Sequence, residues 1–293
     1  MGFKLTRRII VISFLIFGLF IAQYSQAKNQ ITIGNDPVEP FRIAGNLYYV
    51  GSSDVTSYLI TTPKGHILID SGLPETVPQI KKNIATLGFK LEDIKIILNS
   101  HAHFDHAGGI AELRRLTKAV FYASEKDSAL LMRGGIDDPN YGDKYPFEPV
   151  KPDKLLSDGE KVKLGGMTLT ANTTSGHTKG CTTWTTTVNE KGKNLRVLFL
   201  CSISSPTYDL VGNKKYPEIE ADYLASFAWL KKAKVDIFLA SHAGVFGFAD
   251  KADALRKGRS PNPFIDPQGY KDFINRSEKD FLEKVKAQKA AIK

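Results

Sequence analysis

The stretch IKIILNSHAHFDHAGG, Ile94 to Gly109, decides the reading of this 293-residue chain. Ile94 to Leu98 is a mostly apolar run of strand length that leads through Asn99-Ser100 into His101. On the extended backbone at a strand's end, side chains two residues apart face the same way, so His101 and His103 can converge on one point. Asp105 and His106 follow where Gly108-Gly109 lets the chain bend, and they can reach a second point nearby. Imidazole nitrogen and carboxylate oxygen packed this densely are the donors that a divalent zinc ion takes.

Two more histidines stand where strands are expected to end, His177 in SGHTKGC and His242 in SHAG. The donors then divide into His101, His103 and His177 for one ion and Asp105, His106 and His242 for another. Three protein ligands per ion leave positions open for water and substrate, which is the mark of a catalytic site. The sixth histidine, His66, opens a strand and reads as structural. Asp70, in ILIDSG at the end of another strand, is either a plain turn residue or a group that orients a ligand histidine from behind. The loop DDPNYGD, Asp137 to Asp143, lacks EF-hand spacing and a closing glutamate, so it is expected at the surface near a cleft mouth.

Around this centre the pattern is strands in blocks. Arg42 to Gly51, Thr56 to Thr62 and His66 to Asp70 read as short strands, parted by turn signals at Ser52-Ser53-Asp54 and Pro63-Lys64-Gly65. Val77, Ile80, Ile84 and Leu87 recur at helical spacing. Ile110 to Leu116 reads as helix, Ala119 to Ala123 as strand, and Arg133 to Asp153 as a polar loop. Further strands are expected at Met167 to Thr173, Thr182 to Val188, Leu195 to Cys201 and Asp236 to Ala240. One helix carries Tyr223, Leu224, Phe227 and Leu230, and a last one carries Phe273, Ile274, Phe281, Leu282 and Val285. Such alternation predicts the α/β (α+β) class: two sheets packed face to face, each covered outside by helices.

The chain starts with a different kind of segment. Lys4, Arg7 and Arg8 precede the apolar run Ile9 to Ala22, and Ser25-Gln26-Ala27 ends in a small residue, so residues 1–27 read as a signal peptide for Sec export. Residues 28–293 are then one mature domain, expected to be periplasmic, free of the membrane after cleavage, and monomeric. Taking those three basic residues from the formal charge of +9 leaves +6. The remaining lysines are scattered rather than gathered on one element, which argues against a nucleic-acid partner. Cys181 and Cys201 are expected to be free and buried, although export would permit them to pair.

LIDSG, HAHFDHAGG, GHTKG and SHAG, in that order and spread over nearly the whole mature chain, resemble the metallo-β-lactamase superfamily. The resemblance implies an αββα sandwich of two mixed β-sheets with the metals at one edge. Within that family the chain is most similar to the third subclass of β-lactamases, which uses no cysteine ligand. The carrying features are the histidine directly after the motif aspartate, SGHTKGCTTW, CSISSPTYDLVGNKKYP and DIFLASHAGVF. The resemblance assigns the six ligands as above, the substrate carboxylate to Ser202 and Ser204, and a role in steadying the oxyanion to Tyr208. Asp105 would also orient the attacking water. A disulfide found in several members would fall on Val235 and Tyr270 and is therefore absent.

These expectations amount to a zinc-dependent β-lactamase with two Zn²⁺ ions, opening the amide of a small-molecule β-lactam, carbapenems included, by a metal-bound hydroxide. A lactone or other ester or amide hydrolase of the same fold is the alternative. Glyoxalases and most lactonases of this fold carry a metal-bridging aspartate at the end of the strand that here reads LRVLFLCS, and this chain has none there. A serine hydrolase is excluded by motif: G-x-S-x-G is missing, and the one S-x-x-K is Ser25 to Lys28, at the cleavage site. A metal-binding protein without turnover is disfavoured, because all six ligand types are present.

Overall fold

The computed structural model describes residues 34–292, and the signal-peptide expectation for residues 1–27 lies outside them. The first sheet orders its strands as β1 (Phe41–Ala44), β2 (Leu47–Tyr49), β3 (Tyr58–Thr62), β4 (Gly65–Ile69), β5 (Ile94–Leu98), β6 (Val120–Ser124) and β7 (Lys154–Leu156). It is antiparallel from β1 to β4 and parallel from β4 to β7. The second sheet runs β12 (Ile237–Ala240), β11 (Lys193–Leu200), β10 (Thr182–Glu190), β9 (Met167–Thr173) and β8 (Lys161–Leu164), with only β11 and β12 parallel. Both sheets are mixed, as expected.

Period-two alternation decides what each face buries. On β4, Ile67 and Ile69 enter the core between the sheets, while Leu68 joins Val77 and Ile80 of α1 (Val77–Thr86) on the outer face. The inter-sheet core is closed by Tyr58 against Phe199, ring centroids 5.1 Å apart, and by the fully buried Trp184. α2 (Phe104–Ala107) carries Asp105 and His106 of the histidine run, α3 (Ile110–Thr117) and α4 (Glu125–Met132) follow it, and Leu113 and Leu131 pack beneath the first sheet. The second sheet is covered by α5 (Ile219–Lys232), α6 (Phe248–Arg256) and α7 (Pro267–Ile292), where Phe227 and Phe281 meet at 5.6 Å. Among the described residues no helix is long and apolar enough to cross a membrane.

Most differences from the sequence expectation are of extent. Arg42 to Gly51 is a hairpin of β1 and β2 turning at Gly45-Asn46, not one strand. The short β7 and β8 and the helices α4 and α6 went unread, because three- and four-residue strands and eight- or nine-residue helices give little periodicity.

The cysteines require a correction. Cys181 and Cys201 form a disulfide with Cα atoms 5.8 Å apart. Cys181 precedes β10 and Cys201 follows β11, and the antiparallel register that sets Trp184 opposite Phe199 brings them together at the hairpin's open end. Closing a loop of sequence separation 20 removes chain entropy from the unfolded state worth about 3 kcal/mol. The double variant Cys181→Ser/Cys201→Ser is therefore expected to melt roughly 10 °C lower than the oxidised protein. A difference under about 2 °C in paired thermal melts would mean that the hydrogen-bonded hairpin holds this end unaided.

Candidate metal centre

The ends of β4, β5, β11 and β12 gather at one edge of the sandwich, because these strands run parallel in pairs. Trp184 Nε1 donates to the Asn99 carbonyl at 3.1 Å, and Thr182 N donates to the Ser100 carbonyl at 2.8 Å. These bonds tie the second sheet directly to the strand that delivers His101. His177 arrives from the β9–β10 connection. The preceding Gly176 has φ +135°, and a Cβ there would lie 2.6 Å from the Tyr223 ring, so only glycine lets the chain pass.

All six predicted donors converge. One donor atom each from His101, His103 and His177 lie within 4.8 Å of one another, and so do those of His101, Asp105 and His106. His103 Nδ1 faces His177 Nε2 at 3.1 Å, and His106 Nε2 faces His242 Nε2 at 3.2 Å. Asp105 Oδ2 stands 3.3 Å from His106 Nε2 and 3.5 Å from His242 Nε2. His101 Nε2 is buried with no hydrogen-bond partner. Ring nitrogens facing each other at these distances, and the orphaned His101 Nε2 beside them, fit a group that accepts lone pairs.

Three of the outer nitrogens are hydrogen-bonded from behind, and those of His103 and His106 have only a carboxylate nearby. His101 Nδ1 meets Ser100 Oγ at 2.9 Å, and His177 Nδ1 meets the Ser204 carbonyl at 2.8 Å. His242 Nδ1 meets Asp54 Oδ2 at 3.0 Å. Asp70 Oδ2 lies 3.6 Å from His106 Nδ1, while its Oδ1 accepts from Ser100 N at 2.7 Å and Asn99 Nδ2 at 3.1 Å. Of the two readings left open for Asp70, the structure favours the group behind a histidine, through a charge contact longer than a hydrogen bond, and its left-handed backbone (φ +59°) is held by its bonds to Leu98, Asn99 and Ser100. Asp138 Oδ2 is 3.3 Å from His103 Nε2, an electrostatic contact off the ring's hydrogen-bond direction. The loop expected to lie at the surface therefore sends a residue inward, since Asp138 is only 4 % exposed.

The electrostatics sort the donors. Burial, then the charges of the neighbouring imidazoles, hold His101 well below the usual histidine range, and burial and His103 do the same to His177. Both are thus neutral, the form that ligates metal. Burial opposes a charge on His106, but Asp105 and then Asp70 outweigh it and push the pKa up to about 10. Burial likewise raises Asp105, yet His106 and His242 more than offset it, so its carboxyl stays below the ordinary range. This half of the site is built around positive charge.

The structure is similar to the native FEZ-1 metallo-β-lactamase from Legionella gormanii, with 47% identity, a TM-score of 0.85, and coverage of 87% of this chain and 98% of that one. The chain belongs to the metallo-β-lactamase superfamily. That family's model matches residues 50–188. BJP-1, a subclass B3 metallo-β-lactamase of Bradyrhizobium japonicum, is similar at 40% identity and a TM-score of 0.84, covering 89% and 99% of the two chains. An N-acyl homoserine lactonase of Bacillus cereus is 27% identical over 152 residues, 43% of this chain and 55% of its own length. The chain thus spans about half the length of that curated relative, and 24% of an atrochrysone carboxyl ACP thioesterase from Aspergillus fumigatus.

The metallo-β-lactamase fold also places the residues around the donors. Ser202 and Ser204 follow β11, with hydroxyls 3.1 Å apart. They line a cleft of about 470 Å³ shared with His242 and the α7 residues Phe273 and Lys284. Cys201, engaged in the disulfide, is no ligand candidate. Tyr208 stacks on the His177 ring at 25° with its hydroxyl 3.2 Å from the outer nitrogen Nδ1, and it is 1 % exposed. That position lies behind His177 and not in the open cleft. Tyr141, which the sequence did not single out, packs against His103 at 5.1 Å and Tyr208 at 5.6 Å.

Proposed function

We propose that this protein is a zinc-dependent β-lactamase that opens the amide bond of β-lactam antibiotics, carbapenems among them, with two zinc ions. His101, His103 and His177 would hold one ion, and Asp105, His106 and His242 the other. The observation that carries the reading is the pair of converging triads beside a strand end that offers Cys201-Ser202 and no carboxylate. Charge supports the count: Asp54, Asp70, Asp105 and Asp138 all touch the imidazole cluster, and four negative charges match two divalent cations.

When bound, zinc supplies the Lewis acidity that polarises a carbonyl and acidifies water. The chain's own groups do the rest. Asp105, fixed and ionised, accepts a hydrogen bond from the attacking water and turns its lone pair toward the carbonyl. Ser202 and Ser204 present paired hydroxyls to the substrate carboxylate. For Tyr208, its placement favours bracing His177 over the oxyanion role that the resemblance implied. The cleft falls in the size range of sites for drug-sized ligands. Periplasmic location, a monomeric state and a mature domain of residues 28–293 complete the proposal.

Replacing either serine by alanine is expected to raise KM about 10-fold while kcat moves little, since the lost bond to a charged group holds ground state and transition state alike. Steady-state kinetics on a carboxylated lactam read the split directly. A fall in kcat at constant KM would assign the serines to the chemistry instead.

The similarity to N-acyl homoserine lactonases favours one second reading, lactone hydrolysis at the same site. The deciding experiment assays a carbapenem and an acyl homoserine lactone side by side, before chelation, after it, and after zinc is restored. Ring opening of the carbapenem that is lost and then regained is the expected result. Zinc-dependent turnover of the lactone alone would replace the β-lactamase proposal.

A further inference from the structure

Asp127 is a buried carboxylate with no part in the chemistry above. It stands in the first turn of α4 and is 2 % exposed. Its Oδ2 accepts from Ala102 N at 3.0 Å and Thr178 Oγ1 at 2.7 Å, and its Oδ1 accepts from Gly180 N at 2.6 Å. Ala102 lies between His101 and His103, and Thr178 directly follows His177. One side chain therefore joins the two segments that carry the first triad, one leaving β5 in the first sheet and the other linking β9 to β10 in the second.

The sequence around it is shaped to allow this. A Cβ on Gly180 would come within 2.6 Å of Asp127 Cγ and of its backbone nitrogen, so glycine is what lets the carboxylate close in. All three partners are neutral donors. Burial raises the Asp127 pKa, and the bonds from Thr178, Gly180 and Ala102 oppose that rise only in part. A carboxylate with no directly bonded cation is a costly way to fill a core. It is, however, the only side chain of this size that accepts at both ends and donates at neither. Asparagine would turn an N–H toward one of the three donors.

We propose that Asp127 is a positioning residue for the first triad: by clamping Ala102, Thr178 and Gly180 it sets the separation of His103 and His177 and so the affinity of that position for its ion. The inference rests on the reading of the triads as metal positions. Because Asp127 makes no bond to Asp105, His106 or His242, the second triad is an internal control.

The test uses the mature protein with zinc, and with cobalt(II) as a spectroscopic probe. Asp127→Asn is expected to lower affinity at the first position about 10- to 100-fold in chelator competition, with an altered cobalt(II) absorption band. The second position should stay within about threefold of wild type. Lower thermal stability of metal-free Asp127→Asn with both affinities and the spectrum unchanged would overturn the proposal, leaving Asp127 as support for the fold alone. Wild-type protein that takes up neither metal would overturn the metal reading itself, a distinct result. Should Asp127→Asn not fold, Thr178→Val removes a single donor and keeps the carboxylate. It is expected to lose about threefold to tenfold in first-position affinity, which Thr178→Ser retains. Equal affinities for Thr178→Val and wild type would sink the clamp.

Discussion

Asp105→Asn is expected to lower kcat roughly 1,000-fold, the usual scale for losing a positioned proton acceptor. The substitution keeps the shape and removes the charge. Asp105 Oδ2 lies 3.3 and 3.5 Å from the facing nitrogens of His106 and His242, and it is the only carboxylate among the six donors. An amide there ligates weakly and presents an N–H where the site needs an acceptor. On the proposed function two losses would combine, one in occupancy of the second position and one in orientation of the attacking water. Measuring kcat at saturating zinc alongside the metal content separates them. Full metal content with a kcat within about tenfold of wild type would remove Asp105 from the chemistry.

The donors were legible because the rules that place them are local. A strand period of two puts His101 and His103 on one side, and strand ends are where polar residues of a sandwich can meet; Asp105 and His106 are presented instead by the single-turn helix α2, and the glycines expected to bend the chain continue it at right-handed helical angles. The groups behind the donors were not legible in this way. His242 and Asp54 pair across a sequence separation of 188, and in sequence Asp54 was only one residue of a turn signal. Asp127 meets Gly180 across a separation of 53, through a helix too short to announce itself. Asp138 looked like a solvated acid in a polar loop, and only the folding of that loop over His103 makes it a buried counter-charge. The cysteines make the same point: two residues flanking predicted strands pair only once the β10–β11 register is known. For Asp70, position alone left a choice that the approach of its Oδ2 to His106 Nδ1 decides.

Removing the metal from the wild-type protein is expected to lower its melting temperature by roughly 10 °C or more. An ion at 1,000 times its dissociation constant contributes about 4 kcal/mol to the folded state, and for a domain of this size each kcal/mol moves the midpoint by about 2–4 °C. The structure gives reasons for a large effect. Nitrogens facing at 3.1 and 3.2 Å, an orphaned His101 Nε2 and four carboxylates touching one imidazole cluster form an arrangement that a bound cation would relieve. Without it, His106 takes up a proton at its raised pKa, but His101 and His177, held low by burial, cannot. The loosening should begin where those donors are strung together. Hydrogen exchange is therefore expected to accelerate first between Ser100 and Ala107 and around His177, while Ile97 and Leu198 in the sheet interiors stay protected. Thermal melts with and without a chelator, followed by zinc addition, measure the first claim, and exchange rates under the same conditions measure the second. A chelated protein that melts within about 2 °C of the zinc-loaded one, at full metal removal, would mean that the imidazoles and carboxylates satisfy one another without a cation.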